Sequence, residues 1–247
     1  MAKQIGIIKL DGTIEGLNFY FLNGKPIARK SGGGFNGNAI KTKDSMVRVR
    51  ENSREFGSSM VAVKAFKASI IPFLTQFKDG QLHQRLASLF SAIKRCDAVS
   101  ERGKRHVGNG LATAAGVALL QNYVLTGGKN LAGVLAHSYR FDFATGLHLD
   151  EFDGKQIKFA KGSTHLKVVA GFLKIDFDSL TYQLVLSDVV YLDKASVGPI
   201  TLRPLEPNVA AGKAIGLVFT QFVQETNGVF YPFKQVTDVV LEVVFVE

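Results

Sequence analysis

Apolar positions change their period along the chain, and each change marks a different kind of element. Ile5 and Ile7, then Leu17, Phe19 and Phe21, recur at spacing two within their runs, as residues on one strand face do. Asp11-Gly12 and Asn23-Gly24 are the strongest turn signals nearby, and Pro26 puts the strand through Ile27, Ala28 and Arg29 at an edge. The pattern predicts a β-hairpin over residues 5–30. A strand pair of that size buries too little surface to stand alone.

From Asp44 to Arg105 the spacing becomes three and four. Asp44 or Ser45 is the expected N-cap. Met46, Val49, Ser53 and Phe56 form one stripe, while Arg48, Arg50, Glu51, Arg54 and Glu55 read as a solvated charged face. Gly57 is expected to end or loosen this helix. A second helix starting near Ser58-Ser59 carries Met60, Val63, Phe66, Ile70, Phe73, Leu74 and Phe77, with a kink at Pro72. After Asp79-Gly80 a third helix lines up Leu82, Leu86, Leu89, Phe90 and Ile93. This helical hairpin has a wide apolar face of the kind that forms a core.

Beyond Tyr123 the period returns to two. Tyr139, Phe141 and Phe143 alternate with Arg140 and Asp142, and Leu147 and Leu149 flank His148. Further strands are expected at Leu166 to Phe177, Tyr182 to Leu186, Val189 to Tyr191, Ile215 to Gln221 and Phe230 to Phe233. Asp178-Ser179 and Asn227-Gly228 serve as turns. Pro199, Pro204 and Pro207 bracket a short edge-like piece. The closing run Val239 to Val246 is almost wholly apolar, so both its faces should be buried. Short strands punctuated by turns describe an antiparallel sandwich. The fold class is therefore α+β, in three segments: an N-terminal β-hairpin arm with a glycine-rich linker (1–43), a helical middle (44–122) and a C-terminal antiparallel β-sandwich (123–247).

The glycine run Ser31 to Gly34, continued by Phe35-Asn36-Gly37-Asn38, lacks the Gly-Lys-Ser/Thr of a phosphate-binding loop and reads as a flexible linker. Gly108-Asn109-Gly110 lacks the preceding strand, third glycine and later acid of a dinucleotide fingerprint. It reads as a turn before a short alanine-rich segment packed close to a neighbour.

Charge sharpens this picture. The chain has 247 residues and a net charge of +9, but the surplus is uneven. Up to Gly110 there are 19 Lys and Arg against 8 Asp and Glu; from Leu111 onward there are 11 against 13. One half therefore suits a negatively charged partner, either nucleic acid or the acidic surface of a protein, a neighbouring copy included. The densest cluster is Lys94, Arg95, Arg102, Lys104 and Arg105. It has the charge to follow a phosphate backbone but no interleaved aromatic residue for base stacking.

Catalytic and metal signatures are missing. His83, His106, His137, His148 and His165 show no metal-ligand spacing, and no Gly-x-Ser-x-Gly elbow is present. Asp150, Glu151 and Asp153, with Asp142, lack the ligand order of an EF-hand and read as an acidic turn. Single Cys96 excludes an intrachain disulfide. No cofactor is expected. Neither a signal-peptide apolar run nor an ~18-residue apolar membrane span is apparent, so cytoplasmic synthesis without membrane insertion is expected.

Gly12-Thr13-Ile14-x-Gly16-Leu17-Asn18-Phe19-Tyr20, Gly24-Lys25 with Ala28-Arg29, Gly32-Gly33, and Arg50-Glu51-Asn52 with Glu55-Phe56-Gly57 resemble a family of proteins from Bacteroidota genomes and their mobile elements. The likeness extends more weakly through Asp97 and Gly103-x-Arg105 and covers roughly the first 110 residues. The family has no assigned activity, so it lends no catalytic residues. It implies an N-terminal arm, a helical middle and a β-rich end.

The expected function is a non-enzymatic structural subunit that self-assembles through its arm, as in a phage particle, tail-like tube or filament. Phe19, Tyr20, Phe21 and Arg29 are the expected assembly contacts. The first alternative is a nucleic-acid-binding protein using Lys94, Arg95, Arg102, Lys104 and Arg105. The second is a ligand-binding sandwich, for which zero tryptophans disfavour a sugar-stacking platform.

Overall fold

The computed structural model describes residues 2–32 and 37–247. Half of the expected linker, from Gly33 to Asn36, lies outside the described residues, and with it Gly33 of the family resemblance. The chain divides into two compact units, Met1–Arg50 and Glu51–Glu247.

The first unit contains β1 (Ala2–Lys3), β2 (Gly12–Ile14), β3 (Leu17–Leu22), β4 (Lys25–Lys30) and α1 (Gly37–Thr42). Its strands form a four-stranded sheet in the order β1-β4-β3-β2, larger than the expected hairpin. The turn between β3 and β4 is Asn23-Gly24, with both residues at positive φ (50° and 74°), as a two-residue hairpin turn requires. Asp11-Gly12 is not the other turn. Ile14 pairs with Leu17, which leaves Glu15-Gly16 (φ 43° and 80°) to make it. Residues 5–10 are not a strand either, and Ile5 and Ile7 are fully exposed. That loop is held by Gln4, whose Nε2 donates to the Ile27 and Leu10 carbonyls at 3.1 and 3.3 Å while its Oε1 accepts from the Leu10 amide at 2.8 Å. These bonds substitute for a strand ladder.

Helix α2 (Val47–Ser69) runs without interruption through Gly57. Asp44 to Met46 forms a 3₁₀ turn before it rather than its cap. The helix tolerates Gly57 because the position is exposed and the buried stripe passes elsewhere, through Glu55, Ser59, Ala62, Val63 and Phe66. Ser53 and Phe56, expected on the inner stripe, face solvent. A Cβ at Gly57 would meet nothing within 4 Å. Gly57→Ala should therefore stabilise the protein by roughly 0.5–1 kcal/mol in urea denaturation, through the helix propensity that glycine lacks.

Pro72 breaks the helix outright, since a ring in place of its N–H cannot continue the ladder. It occupies the first turn of the separate α3 (Ile71–Leu74). Then follow α4 (Leu82–Arg95), α5 (Val107–Leu111), α6 (Ala114–Leu120) and α7 (Leu131–Leu135). Gly108-Asn109-Gly110 is thus helical, not a turn. The expected close packing is present: a Cβ on Gly110 would sit 2.2 Å from the Ile93 carbonyl oxygen, and one on Gly116 2.0 Å from that of Gly110. Only glycine lets α4, α5 and α6 approach so closely.

The remaining strands are β5 (Arg140–Asp142), β6 (Gly146–Asp153), β7 (His165–Ile175), β8 (Tyr182–Leu186), β9 (Val190–Leu192), β10 (Val197–Leu202), β11 (Lys213–Thr226), β12 (Val229–Pro232) and β13 (Val239–Val246). β7 and β11 are the centre of a curled, wholly antiparallel half-barrel sheet. β13 and β12 share the outer side of β11, and β8 and β9 the outer side of β7. A three-stranded sheet, β10-β6-β5, lies apart in hydrogen bonding. Pro199 falls at a bulge in its edge strand, as an edge proline should.

Strand alternation assigns the two faces of the main sheet. Val169, Leu173, Ile215, Leu217, Phe219 and Leu241 pack with the helices, around Phe66, Phe73, Phe90 and Ile93. Leu166, Val168, Phe172, Val218 and Val240 pack with Leu147, Leu149 and Leu202 of the small sheet and with Leu131 and Leu135 of α7. The main sheet is thus covered on both sides, which is why β13 is apolar along nearly its whole length. The helical middle and the sheet share a core. Mixed α+β architecture holds as the periodicity predicts.

Candidate assembly and binding surfaces

Two surfaces bear on the expected contacts: the arm sheet and the basic segment. In the arm, register fixes the faces. Leu17 pairs with Lys30, Phe19 with Ala28 and Phe21 with Pro26, while Ile14 pairs with Leu17. Ile14, Leu17, Phe19, Phe21, Pro26 and Ala28 therefore share one face. Tyr20 and Arg29 lie on the other, with the Arg29 guanidinium 5.4 Å from the Tyr20 ring centre. The four expected assembly residues thus divide between two faces. The apolar face is open: Ile14, Leu17 and Phe21 are all exposed, Phe21 at 50%. Counting the loop before it, eight large apolar side chains between Ile5 and Leu22 are exposed. So dense a set in one short stretch, half of it in the loop and half in the sheet, exceeds what scattered surface residues explain.

The basic segment is arranged differently. Glu55 of α2 is only 2% exposed. Its carboxylate accepts from Arg105 Nε and Nη2 at 2.8 and 2.9 Å, pairs with Lys94 Nζ at 2.9 Å, and accepts the Gly103 amide at 2.7 Å. The Arg105 bonds hold the carboxyl well below its ordinary range, at about 2; burial opposes this, and Lys94 and the Gly103 amide add to it. Lys94 is itself buried. Arg102 pairs with Glu51 at 3.3 Å and exposed Lys104 with Glu101 at 2.9 Å. Arg95 is exposed on the last turn of α4. The five residues are therefore not one positive surface, because two of them neutralise a buried carboxylate.

Asp97 fixes the same loop. Burial alone would raise its pKa, but the amides of Ser100, His106 and Val99 and the Ser100 hydroxyl outweigh burial and lower it. No sequence signal separated Glu55 from ordinary surface acids, since its partners Gly103 and Arg105 lie 48 and 50 positions away.

Two further polar groups, buried Glu242 and half-buried Tyr139, escaped sequence reasoning. Glu242, inside the apolar run of β13, accepts the Leu131 amide at 2.6 Å; burial raises its pKa, and that hydrogen bond opposes the rise. Burial, and then Glu242, push the Tyr139 hydroxyl up to about 12. Asp142 and Asp176 accept bonds within their own turns, from Ala144 and Thr145 and from Asp178 and Ser179. Asp150 faces Arg140 at 3.5 Å. Among the described residues, no cluster of three or more His, Cys, Asp or Glu is placed to hold a metal ion, and no helix is long and apolar enough to cross a membrane.

A cavity of about 410 Å³ opens on the second unit, lined by Phe143, Ala144, Phe172, Pro204, Leu205, Glu206, Pro207 and Asn208. No family model, curated protein or solved structure matches the chain.

Proposed function

We propose that this protein is a non-enzymatic structural subunit that self-associates through its N-terminal arm, in a phage particle, tail-like tube or filament. The observation that carries this reading is the apolar face with exposed Ile14, Leu17 and Phe21 and half-buried Phe19, on a small sheet whose strands already pair with one another. Backbone pairing within the arm is largely satisfied, so side-chain packing supplies the association, with strand addition at the short edge strand β2 a secondary mode. The first fifty residues carry nine Lys and Arg against three Asp and Glu, whereas the chain beyond Leu111 is mildly acidic. Complementary, non-identical surfaces of this kind join copies head to tail, in rings or open filaments. Nucleic-acid contact through residues 94–105 has less support, because Lys94 and Arg105 are already bonded to Glu55.

The test is the mass of the full chain by light scattering across concentration, beside a variant lacking residues 1–34. The full chain should form oligomers or filaments and the truncated chain should remain monomeric. Equal masses would remove the proposal.

A further inference from the structure

We propose that the polar face of the arm sheet binds single-stranded nucleic acid through Lys3, Lys25 and Arg29, with Tyr20 backing the Arg29 guanidinium. This surface lies opposite the apolar face, and binding there does not depend on self-association.

Strand register sorts the arm's charges. Tyr20 pairs with Ile27, and Ile27 with Lys3. Leu22 pairs with Lys25, and Asn18 with both Arg29 and Thr13. Paired residues, and residues two apart on one strand, share a face. Lys3, Lys25 and Arg29 therefore lie with Tyr20, away from Phe19 and Phe21. All three cations are exposed, and none forms an ion pair among the described residues. No position of β1 to β4 is an Asp or Glu.

The spacing of these charges selects a polyanion. Lys25 and Arg29 are four residues apart on β4, about 13 Å along the strand. Lys3 lies on the neighbouring strand opposite Ile27, midway between them. One carboxylate cannot reach all three, whereas a chain of regularly spaced phosphates can. A lipid surface would need apolar anchors beside the cations. Of the exposed large apolar side chains on these strands, only Leu22 shares the cationic face, while Ile14, Leu17 and Phe21 are on the other.

The neighbours of Arg29 select unpaired bases. Its guanidinium lies 5.4 Å from the Tyr20 ring centre, which holds a planar cation in place for a base to stack on. Beside it, in one row across β4, β3 and β2, stand Asn18 and Thr13. Thr13 Oγ1 donates to Asn18 Oδ1 at 3.5 Å, so an amide and a hydroxyl are grouped where they can bond a base edge. A duplex keeps its base faces stacked and its pairing edges occupied, so the guest is a single strand.

Fluorescence anisotropy of a labelled oligothymidine with the full chain, repeated across salt, is the test. The single strand should bind at least tenfold more tightly than the corresponding duplex. Lys3→Gln/Lys25→Gln/Arg29→Gln should weaken binding about a hundredfold and lower the slope of log affinity against log salt by about 2, because each phosphate contact contributes about 0.7. Arg29→Lys keeps the charge but loses the plane; it should weaken binding about fivefold at an unchanged slope. Tyr20→Phe keeps the ring and should bind as wild type does. Phe21→Ala, on the opposite face, and Arg95→Gln/Arg102→Gln, in the other basic segment, should leave affinity unchanged. The three cations replaced are exposed, so unchanged thermal unfolding would show that those variants fold. No binding at low salt, equal affinity for duplex or for polyglutamate, or a loss in Arg95→Gln/Arg102→Gln as large as in the triple variant would each overturn the proposal. Light scattering of the same samples reads self-association separately: if the chain is monomeric yet binds the strand, only the assembly reading falls.

Discussion

Glu55→Ala should cost roughly 3–5 kcal/mol of stability, because it strands two cations that the fold holds against that carboxylate. Lys94 and Arg105 have side chains only 11% and 27% exposed, and the Gly103 amide would also lose its acceptor. Urea denaturation would read the loss as a lower midpoint at unchanged slope. The same site sets an acid limb of stability. The Glu55 carboxyl sits at about 2 in the fold against 4.5 unperturbed. A depressed folded value means that the stabilisation is complete above the unfolded value and lost as pH falls through the folded one. The shift corresponds to about 3 kcal/mol, disappearing between about pH 4.5 and pH 2. Asp97 is lowered as well and steepens the same limb. The difference between wild type and Glu55→Gln therefore isolates the Glu55 share. A difference that stays constant from pH 6 to pH 2.5 would overturn the assignment.

Phe219→Ala is expected to be of similar size, about 3–5 kcal/mol, for a different reason. Phe219 lies at the middle of β11, fully buried, where helix and sheet meet. Its ring stacks on Phe73 at 5.5 Å and on Phe77 at 6.4 Å, and Lys167 Nζ lies 5.8 Å from its centre. Phe73 follows directly on Pro72, so the break that ends α2 also aims this ring at the sheet. Removing Phe219 opens a cavity that β11, bonded on both sides, cannot close by moving. A melting temperature lower by about 10 °C follows for a chain of this length. Phe21→Ala, on the exposed face of the arm, should shift stability by less than about 0.5 kcal/mol. Equal losses at the two positions would contradict the assignment of inside and outside.

The apolar periodicity was a sound guide wherever burial lies on one face or on both. Leu82, Leu86, Leu89, Phe90 and Ile93 are all buried on α4, and the closing run is the doubly covered strand β13. It misled at Gly57 and Gly108 to Gly110, where local propensity argued for breaks. Both segments are helical nonetheless: Gly57 lies exposed within α2, and Gly110 sits where Ile93 of α4 leaves no room for a side chain. It misled again at Asp11-Gly12, because a turn signal says that the chain can reverse but not which strands then pair.

By itself the sequence determined the α+β class, the apolar faces of α4 and the central strands, the edge position of the proline-bracketed piece, and the concentration of positive charge before Leu111. These are properties of neighbouring residues, and periodicity and net charge report them directly. Only the tertiary structure decided that Glu55 gathers Lys94 and Arg105, that Phe19 and Phe21 face away from Tyr20 and Arg29, and that residues as far apart as Phe143 and Asn208 line one cavity. Each depends on residues brought together across the fold, and a carboxylate in water and one bonded to two buried cations are written with the same letter.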